Sequence, residues 1–119
     1  MTHRILLVED DPSINKLLAM TLKINGFEVT PTGHGREAAE RLKVERFDAV
    51  VADLFMPLMD GIHLILWMKE NGYGDVPVLV MTAMVRDDVK RDAEEAGAAG
   101  VLHKPVAVDH LLAELNRVL

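Results

Sequence analysis

The chain of 119 residues contains no cysteine. This absence excludes disulfide bonds, thiolate metal sites and cysteine nucleophiles, and it is typical of proteins in a reducing compartment. Basic residues are in the minority, with 13 lysines and arginines against 19 acidic residues and a formal net charge of −6. We therefore expect no direct contact with nucleic acid, because binding to phosphates requires a basic face.

Long apolar runs are also missing from the sequence. No stretch approaches the roughly 20 apolar residues that span a bilayer, and the first residues, Met1 to Arg4, lead into a predicted strand without the apolar region of a signal peptide. About 50% of the residues are nevertheless hydrophobic, which is enough for the core of one compact domain. We expect one domain over residues 1–119, with no membrane contact and a cytoplasmic location.

Short apolar runs alternate along the chain with segments of helical periodicity. The predicted strands are Ile5–Val8, Phe27–Thr30, Ala49–Ala52, Val76–Met81 and Gly100–His103. Pro31 should end the second strand and place it at a sheet edge, because proline cannot donate to a ladder. Strands that alternate with helices predict an α/β fold, a single doubly wound parallel sheet of five strands with five helices.

The five predicted helices have apolar faces directed toward this sheet. They run from Asp11-Pro12 to Asn25-Gly26, over Arg36–Arg46, Asp60–Asn71 and Arg86–Ala96, and from Val108 to the end of the chain. The apolar residues of the first helix follow at helical spacing and are Ile14, Leu17, Leu18 and Leu22. Those of the last helix share one face and are Val108, Leu111, Leu112, Leu115 and Val118.

Polar side chains follow four of the apolar runs, at the point where each predicted strand ends. They are Glu9-Asp10-Asp11, Asp53, Thr82 and, one residue after His103, Lys104. The carboxyl ends of parallel strands meet at one edge of the sheet, which is where sites form in such folds. We expect these groups to lie close together at this edge, which we call the mouth of the sheet. The acidic triplet alone is equally well explained as a capped helix start with Asp11 as the cap.

The chemistry of these groups favours phosphoryl transfer. Carboxylate oxygens from Glu9, Asp10 and Asp53, without histidine or cysteine, suit Mg²⁺. Lys104 can hold a phosphoryl oxygen as a point charge, and the Thr82 hydroxyl with the Ala83 backbone N–H can donate to an anion. Asp53 is the best candidate nucleophile, because it lies at a strand-to-loop exit.

Four segments resemble the receiver domain of two-component response regulators: ILLVEDDP at 5–12, DLFMPLMDG at 53–61, VMTA at 80–83 and Lys104-Pro105. The resemblance covers the whole chain in order and spacing. It implies a flavodoxin-like sheet of strand order 2-1-3-4-5, and an Asp53 that accepts a phosphoryl group from a sensor histidine kinase or histidine phosphotransfer protein. It further implies that Glu9, Asp10, Asp53 and the main-chain carbonyl of Phe55 hold Mg²⁺.

The same resemblance assigns the remaining roles. Thr82 matches the switch hydroxyl, Lys104 the phosphate-binding lysine, and the Lys104-Pro105 bond one that is cis in the family. A downstream protein would bind the face of the fourth helix, fifth strand and fifth helix, and the first helix near Ile14 and Leu18 would dock the phosphodonor. We expect no output domain in this chain, which would be either a single-domain regulator or the receiver of a longer protein. We also expect no enzyme activity beyond self-catalysed phosphotransfer and slow autodephosphorylation.

Some positions depart from the family pattern. Val101 occupies the place of the usual switch aromatic, so the activating motion should differ. Phe55 and Met84 are bulky apolar residues at positions that border the path of water to the acyl phosphate, which predicts slow self-dephosphorylation. In the third helix Leu66 should point outward with Trp67 on its flank, a patch that could support self-association, unless the Asn71–Asp75 loop covers it.

Other functions fit the sequence less well. A phosphohydrolase would need a second carboxylate two residues after its nucleophile, where Phe55 stands, and a flavodoxin-like electron carrier would need a hydroxyl-rich loop where the acids stand. A phosphorylation-independent adaptor on a receiver fold remains an alternative because of Val101 and the third-helix patch. The histidines, at positions 3, 34, 63, 103 and 110, show no metal spacing and are interpreted as surface residues.

Overall fold

The computed structural model describes residues 2–56, 59–84 and 86–119. Its strands are β1 (Arg4–Val8), β2 (Glu28–Thr32), β3 (Ala49–Asp53), β4 (Val78–Thr82) and β5 (Gly100–His103). Its helices are α1 (Pro12–Ile24), α2 (Gly35–Val44), α3 (Gly61–Glu70), α4 (Asp87–Ala96) and α5 (Val108–Val118). All pairings are parallel and the order is β2-β1-β3-β4-β5, which confirms the predicted fold.

The sheet is covered by helices on both faces. Side chains alternate along the strands, so that Leu6 and Val8 of β1 pack with α2, α3 and α4, while Ile5 and Leu7 pack with α1 and α5. Every residue of β3 and β4 is buried, as expected for continuous apolar strands in the middle of a parallel sheet. This rigid centre fixes the positions of Asp53 and Thr82, the last residues of those two strands.

Two helix starts next to the strand ends are capped by aspartates. The Asp11 carboxylate accepts hydrogen bonds from the backbone N–H groups of Ser13 and Ile14, and Pro12 occupies the first helical position of α1. The Asp60 carboxylate accepts from His63 N–H at the start of α3. Asp11 therefore acts as the cap that the sequence predicted.

Three details of the predicted packing were wrong. β2 extends through Pro31 to Thr32, because the strand lies at the edge of the sheet and needs no donor from Pro31 on its open side. Leu17 is 64% exposed and Val108 44% exposed, so neither belongs to the inner face of its helix. The buried residues of α1 are instead Leu18, Ala19 and Leu22. Residues next to each other in sequence lie about 100° apart around a helix, so Leu17 can be exposed although Leu18 is buried.

Among the residues that the structure describes, no helix combines the length and the apolar character that a membrane span requires. Pro57 and Leu58, in the middle of the 53–61 segment, lie outside the described residues.

Candidate functional site

Glu9 is a buried carboxylate at the carboxyl end of β1. Its backbone N–H donates to the carbonyl of Thr32, the last residue of β2, at 3.1 Å, which extends the β1–β2 pairing one residue past the end of β1. Its Oε2 accepts from the N–H of Asp11 at 3.1 Å, and the side chain is thereby turned toward the mouth of the sheet. Asp10, the next residue, is exposed.

Asp53 is the last residue of β3 and is also buried. Its Oδ1 accepts from the backbone N–H of Phe55 at 3.4 Å, in the turn by which the chain leaves the strand. Carboxylate oxygens of Glu9, Asp10 and Asp53 lie within 4.8 Å of one another. In the part of the chain that the structure describes, this is the one group of three such residues that could hold a metal ion.

Lys104 connects the two buried acids. Its Nζ donates to Glu9 Oε1 at 2.7 Å and to Asp53 Oδ2 at 2.9 Å, across separations of 95 and 51 residues in sequence. Burial acts to lower the pKa of Lys104, but the hydrogen bonds and charges of Glu9 and Asp53 outweigh it and raise the pKa above the ordinary lysine value. The ammonium group therefore carries its charge at neutral pH.

Thr82 completes the group from the end of β4. It is buried, its Oγ1 accepts from the backbone N–H of Met84 at 3.0 Å, and its carbonyl accepts from the N–H of Lys104 at 2.9 Å. A hydroxyl that accepts one hydrogen bond still has its own proton to donate. The Lys104-Pro105 peptide bond is cis, as the resemblance implied.

Comparisons with known proteins agree with this geometry. The family model described as response regulator receiver domain matches residues 5–116. The chain belongs to this family. Response regulator MprA of Mycolicibacterium vanbaalenii is 39% identical over all of this chain and 51% of its own length, and the Mycobacterium ulcerans protein of the same name is 38% identical with the same coverage. This receiver domain thus spans about half the length of the curated relatives it matches.

Solved structures show the same fold over the full length. The chemotaxis protein CheY4 of Vibrio cholerae is 32% identical, covers 100% of both chains and superimposes with a TM-score of 0.93. The receiver domain of the Francisella response regulator 1452 is 26% identical with a TM-score of 0.92, over 98% of this chain and 96% of its own. Receiver domains bind Mg²⁺, and the three acids of this one supply oxygen donors of the right type.

The unusual residues of this receiver domain lie around the acids and on α3. Phe55 and Met84 are exposed. The backbone N–H of each donates a hydrogen bond to the side chain two residues earlier, Phe55 to Asp53 and Met84 to Thr82. Val101 is half-buried and packs against the core cluster on the side of the sheet that α2, α3 and α4 cover.

The predicted patch on α3 is smaller than the sequence indicated. Leu66 is 42% exposed, as expected. Trp67 is only half-exposed, because its ring stacks on that of Tyr73 with centroids 5.6 Å apart and an interplanar angle of 16°. The Asn71–Asp75 loop therefore covers part of the patch, the alternative that the sequence left open.

Two supporting residues of the site were not predicted. Asn15 on α1 donates from its side chain to the carbonyls of Glu9 and Thr32, and the Thr32 hydroxyl donates to the carbonyl of Leu7. The sequence feature that could have indicated this role is Asn15 itself, because asparagine has a low helix propensity and stands here inside a predicted helix.

Proposed function

We propose that this receiver domain accepts a phosphoryl group on Asp53 from a histidine kinase or histidine phosphotransfer protein and thereby controls the binding of a downstream partner. The observation that supports this proposal is the bridge of Lys104 between Glu9 and Asp53. It places a cation beside the candidate nucleophile and among acids that could bind a second cation. Phosphoryl transfer depends on this kind of positioning and charge neutralisation.

The proposed reaction is an in-line displacement. An Oδ atom of Asp53 attacks phosphorus, a P–O bond forms as the P–N bond of the phosphohistidine breaks, and the departing imidazole keeps the electron pair and takes up a proton. Glu9, Asp10, Asp53 and the carbonyl of Phe55 would hold Mg²⁺, which supplies neutralisation of the phosphoryl charge when bound. The Thr82 hydroxyl, the Ala83 N–H and Lys104 would donate to the oxygens of the product.

The phosphodonor would dock beside α1. A cavity of about 330 Å³ next to Lys104 is lined largely by apolar side chains of α1 and of the segment after β5, among them Ile14, Leu18 and Val106. The exposed Leu17 lines the same cavity. An apolar surface at the mouth could seat a helix of the donor while its phosphohistidine reaches Asp53.

The downstream partner would bind the face of α4, β5 and α5. Ala93 is the sole fully buried residue of α4, and no side chain caps the start of this helix at Arg86. Elements with few buried contacts are those that rearrange most readily. Thr82 and Lys104 flank α4 in sequence. When they donate to the oxygens of a phosphoryl group on Asp53, they would shift the position of this helix. We place this signalling in the cytoplasm.

The proposal is tested by incubation with acetyl phosphate and Mg²⁺, followed by intact-mass measurement. We expect one phosphoryl group on the wild type and none on Asp53→Asn, or on the wild type with Mg²⁺ chelated. Wild-type protein without an adduct, while a second donor such as phosphoramidate also fails, would favour the phosphorylation-independent adaptor.

We also propose that the phosphorylated form is long-lived and that the domain has no other enzyme activity. Phe55 and Met84 each follow a site residue by two positions, and both are exposed apolar residues. Bulky apolar side chains at these positions would restrict an attacking water. The double substitution Phe55→Asn with Met84→Glu should shorten the lifetime of the phosphorylated form, measured by the loss of the adduct mass with time. An unchanged lifetime would contradict this account.

A further inference from the structure

Asn15 lies where two strand ends and a helix meet. It is the fourth residue of α1, and its own N–H makes the first regular helical bond to the carbonyl of Asp11 at 2.9 Å. Asparagine disfavours helix interiors because its side chain competes for nearby backbone groups of its own segment. Here the side chain instead reaches out of the helix to the sheet.

The Asn15 amide group binds both neighbouring strands. Its Nδ2 donates to the carbonyl of Glu9 at 3.0 Å and to the carbonyl of Thr32 at 2.8 Å. The carbonyl of Thr32 also accepts from the N–H of Glu9, so that β1, β2 and α1 are joined at one point. Both amide protons of Asn15 are used, and neither goes to a carboxylate.

We propose that Asn15 is a positioning residue for the acidic pair Glu9-Asp10. The peptide between these two residues carries the carbonyl that Asn15 holds, and its orientation sets the directions in which both carboxylates leave the chain. This inference rests on the proposed function, since it concerns the metal that the phosphotransfer requires. Groups that orient metal ligands through hydrogen bonds typically contribute 10- to 100-fold to metal affinity.

The same helix offers a matched control. Asn25, at the end of α1, donates from its Nδ2 to the carbonyl of Thr21 at 2.8 Å, but within its own helix and away from the acids. Asn15→Leu and Asn25→Leu therefore each remove an asparagine amide donor from α1. Only the first removes a connection to Glu9.

The test is a calorimetric titration of Mg²⁺ into each folded variant, which measures binding without any reaction. We expect Asn15→Leu to raise the Mg²⁺ dissociation constant about tenfold and Asn25→Leu to leave it within about twofold of wild type. A value for Asn15→Leu within twofold of wild type, or equal losses in the two variants, would overturn the inference. If Asn15→Leu does not fold, Asn15→Ala takes its place with the same expected result.

The two proposals can fail separately. If Asn15→Leu weakens Mg²⁺ binding while wild type forms no Asp53-dependent adduct, the positioning role holds and the phosphoacceptor function is wrong. If wild type forms the adduct while Asn15→Leu binds Mg²⁺ normally, the phosphoacceptor function holds and the positioning role is wrong. Wild type that binds no Mg²⁺ would overturn the positioning role.

Discussion

Lys104→Met removes the cation that joins the two buried acids while keeping a side chain of similar length. The side chains of Glu9 and Asp53 are 0% and 9% exposed, and that of Lys104 is 19% exposed. Loss of the ammonium leaves two carboxylates close together without their shared donor. Like charges in that position repel each other, and both have lost a charge-assisted hydrogen bond.

The size of the effect follows from this burial. Removing one partner of a buried ion pair costs about 3–5 kcal/mol, because the other charge is left uncompensated. The site opens at the mouth of the sheet and Lys104 is partly exposed, which favours the lower end. We therefore expect Lys104→Met to reduce the free energy of unfolding by about 3 kcal/mol in the absence of Mg²⁺.

Urea unfolding at neutral pH, in buffer with Mg²⁺ chelated, measures this loss. Lys90→Met on the exposed surface of α4 is the matched control and should stay within about 0.5 kcal/mol of wild type. The loss in Lys104→Met should shrink when Mg²⁺ is added, since a bound cation again neutralises the acids. Equal stabilities of the two variants without Mg²⁺ would refute the reasoning.

The difference in the free energy of unfolding between wild type and Lys104→Met should also depend on pH. The pKa of Lys104 is raised in the folded protein, so its contribution is fully present below the unfolded lysine value of about 10.4 and is lost as the pH rises through the higher folded value. The stability difference between wild type and Lys104→Met should therefore be level from neutral pH to about pH 10 and narrow above it. A difference that narrows well below that pH would contradict the assignment.

Three further predictions follow from single positions. Gly35→Ala would place a Cβ against the backbone oxygen of Met59 and should lower the free energy of unfolding by about 2 kcal/mol in urea, whereas Gly33→Ala meets nothing within 4 Å and should be nearly neutral. Equal effects of the two substitutions would refute the close approach. Asp10→Asn should increase stability without Mg²⁺ by up to about 1 kcal/mol, because it relieves repulsion among the acids, and should abolish most of the stabilisation by Mg²⁺; unchanged stabilisation would argue against Asp10 as a ligand. If Leu66 supports self-association, light scattering should show a concentration-dependent mass for wild type and not for Leu66→Glu, and monomeric behaviour of both would exclude it.

The sequence predicted the sheet and the meeting of the polar groups because both depend on local patterns. Four apolar runs end abruptly in polar residues, and parallel pairing brings these ends together independently of the conformation of the loops. Asp53, Thr82 and Lys104 therefore lie at one mouth even though long stretches of sequence separate them. The strand order itself came from the resemblance to receiver domains.

Features that depend on contacts between distant residues were beyond sequence reasoning. The position of Pro31 inside β2 follows from which side of that strand is open, and the exposure of Leu17 from the rotation of α1 against the sheet. The stacking of Trp67 on Tyr73 and the reach of Asn15 to two strands require the folded geometry. Each depends on a contact between two residues whose separation in sequence follows no helical or strand periodicity.

The location of the phosphoryl group tests the central claim most directly. Wild-type protein treated with acetyl phosphate and Mg²⁺ is reduced with borohydride, which converts an aspartyl phosphate to homoserine, and the modified peptide is sequenced by mass spectrometry. The account predicts conversion at position 53 alone. Conversion at Asp10 or Asp11, or no conversion of a protein that carries the adduct mass, would contradict it.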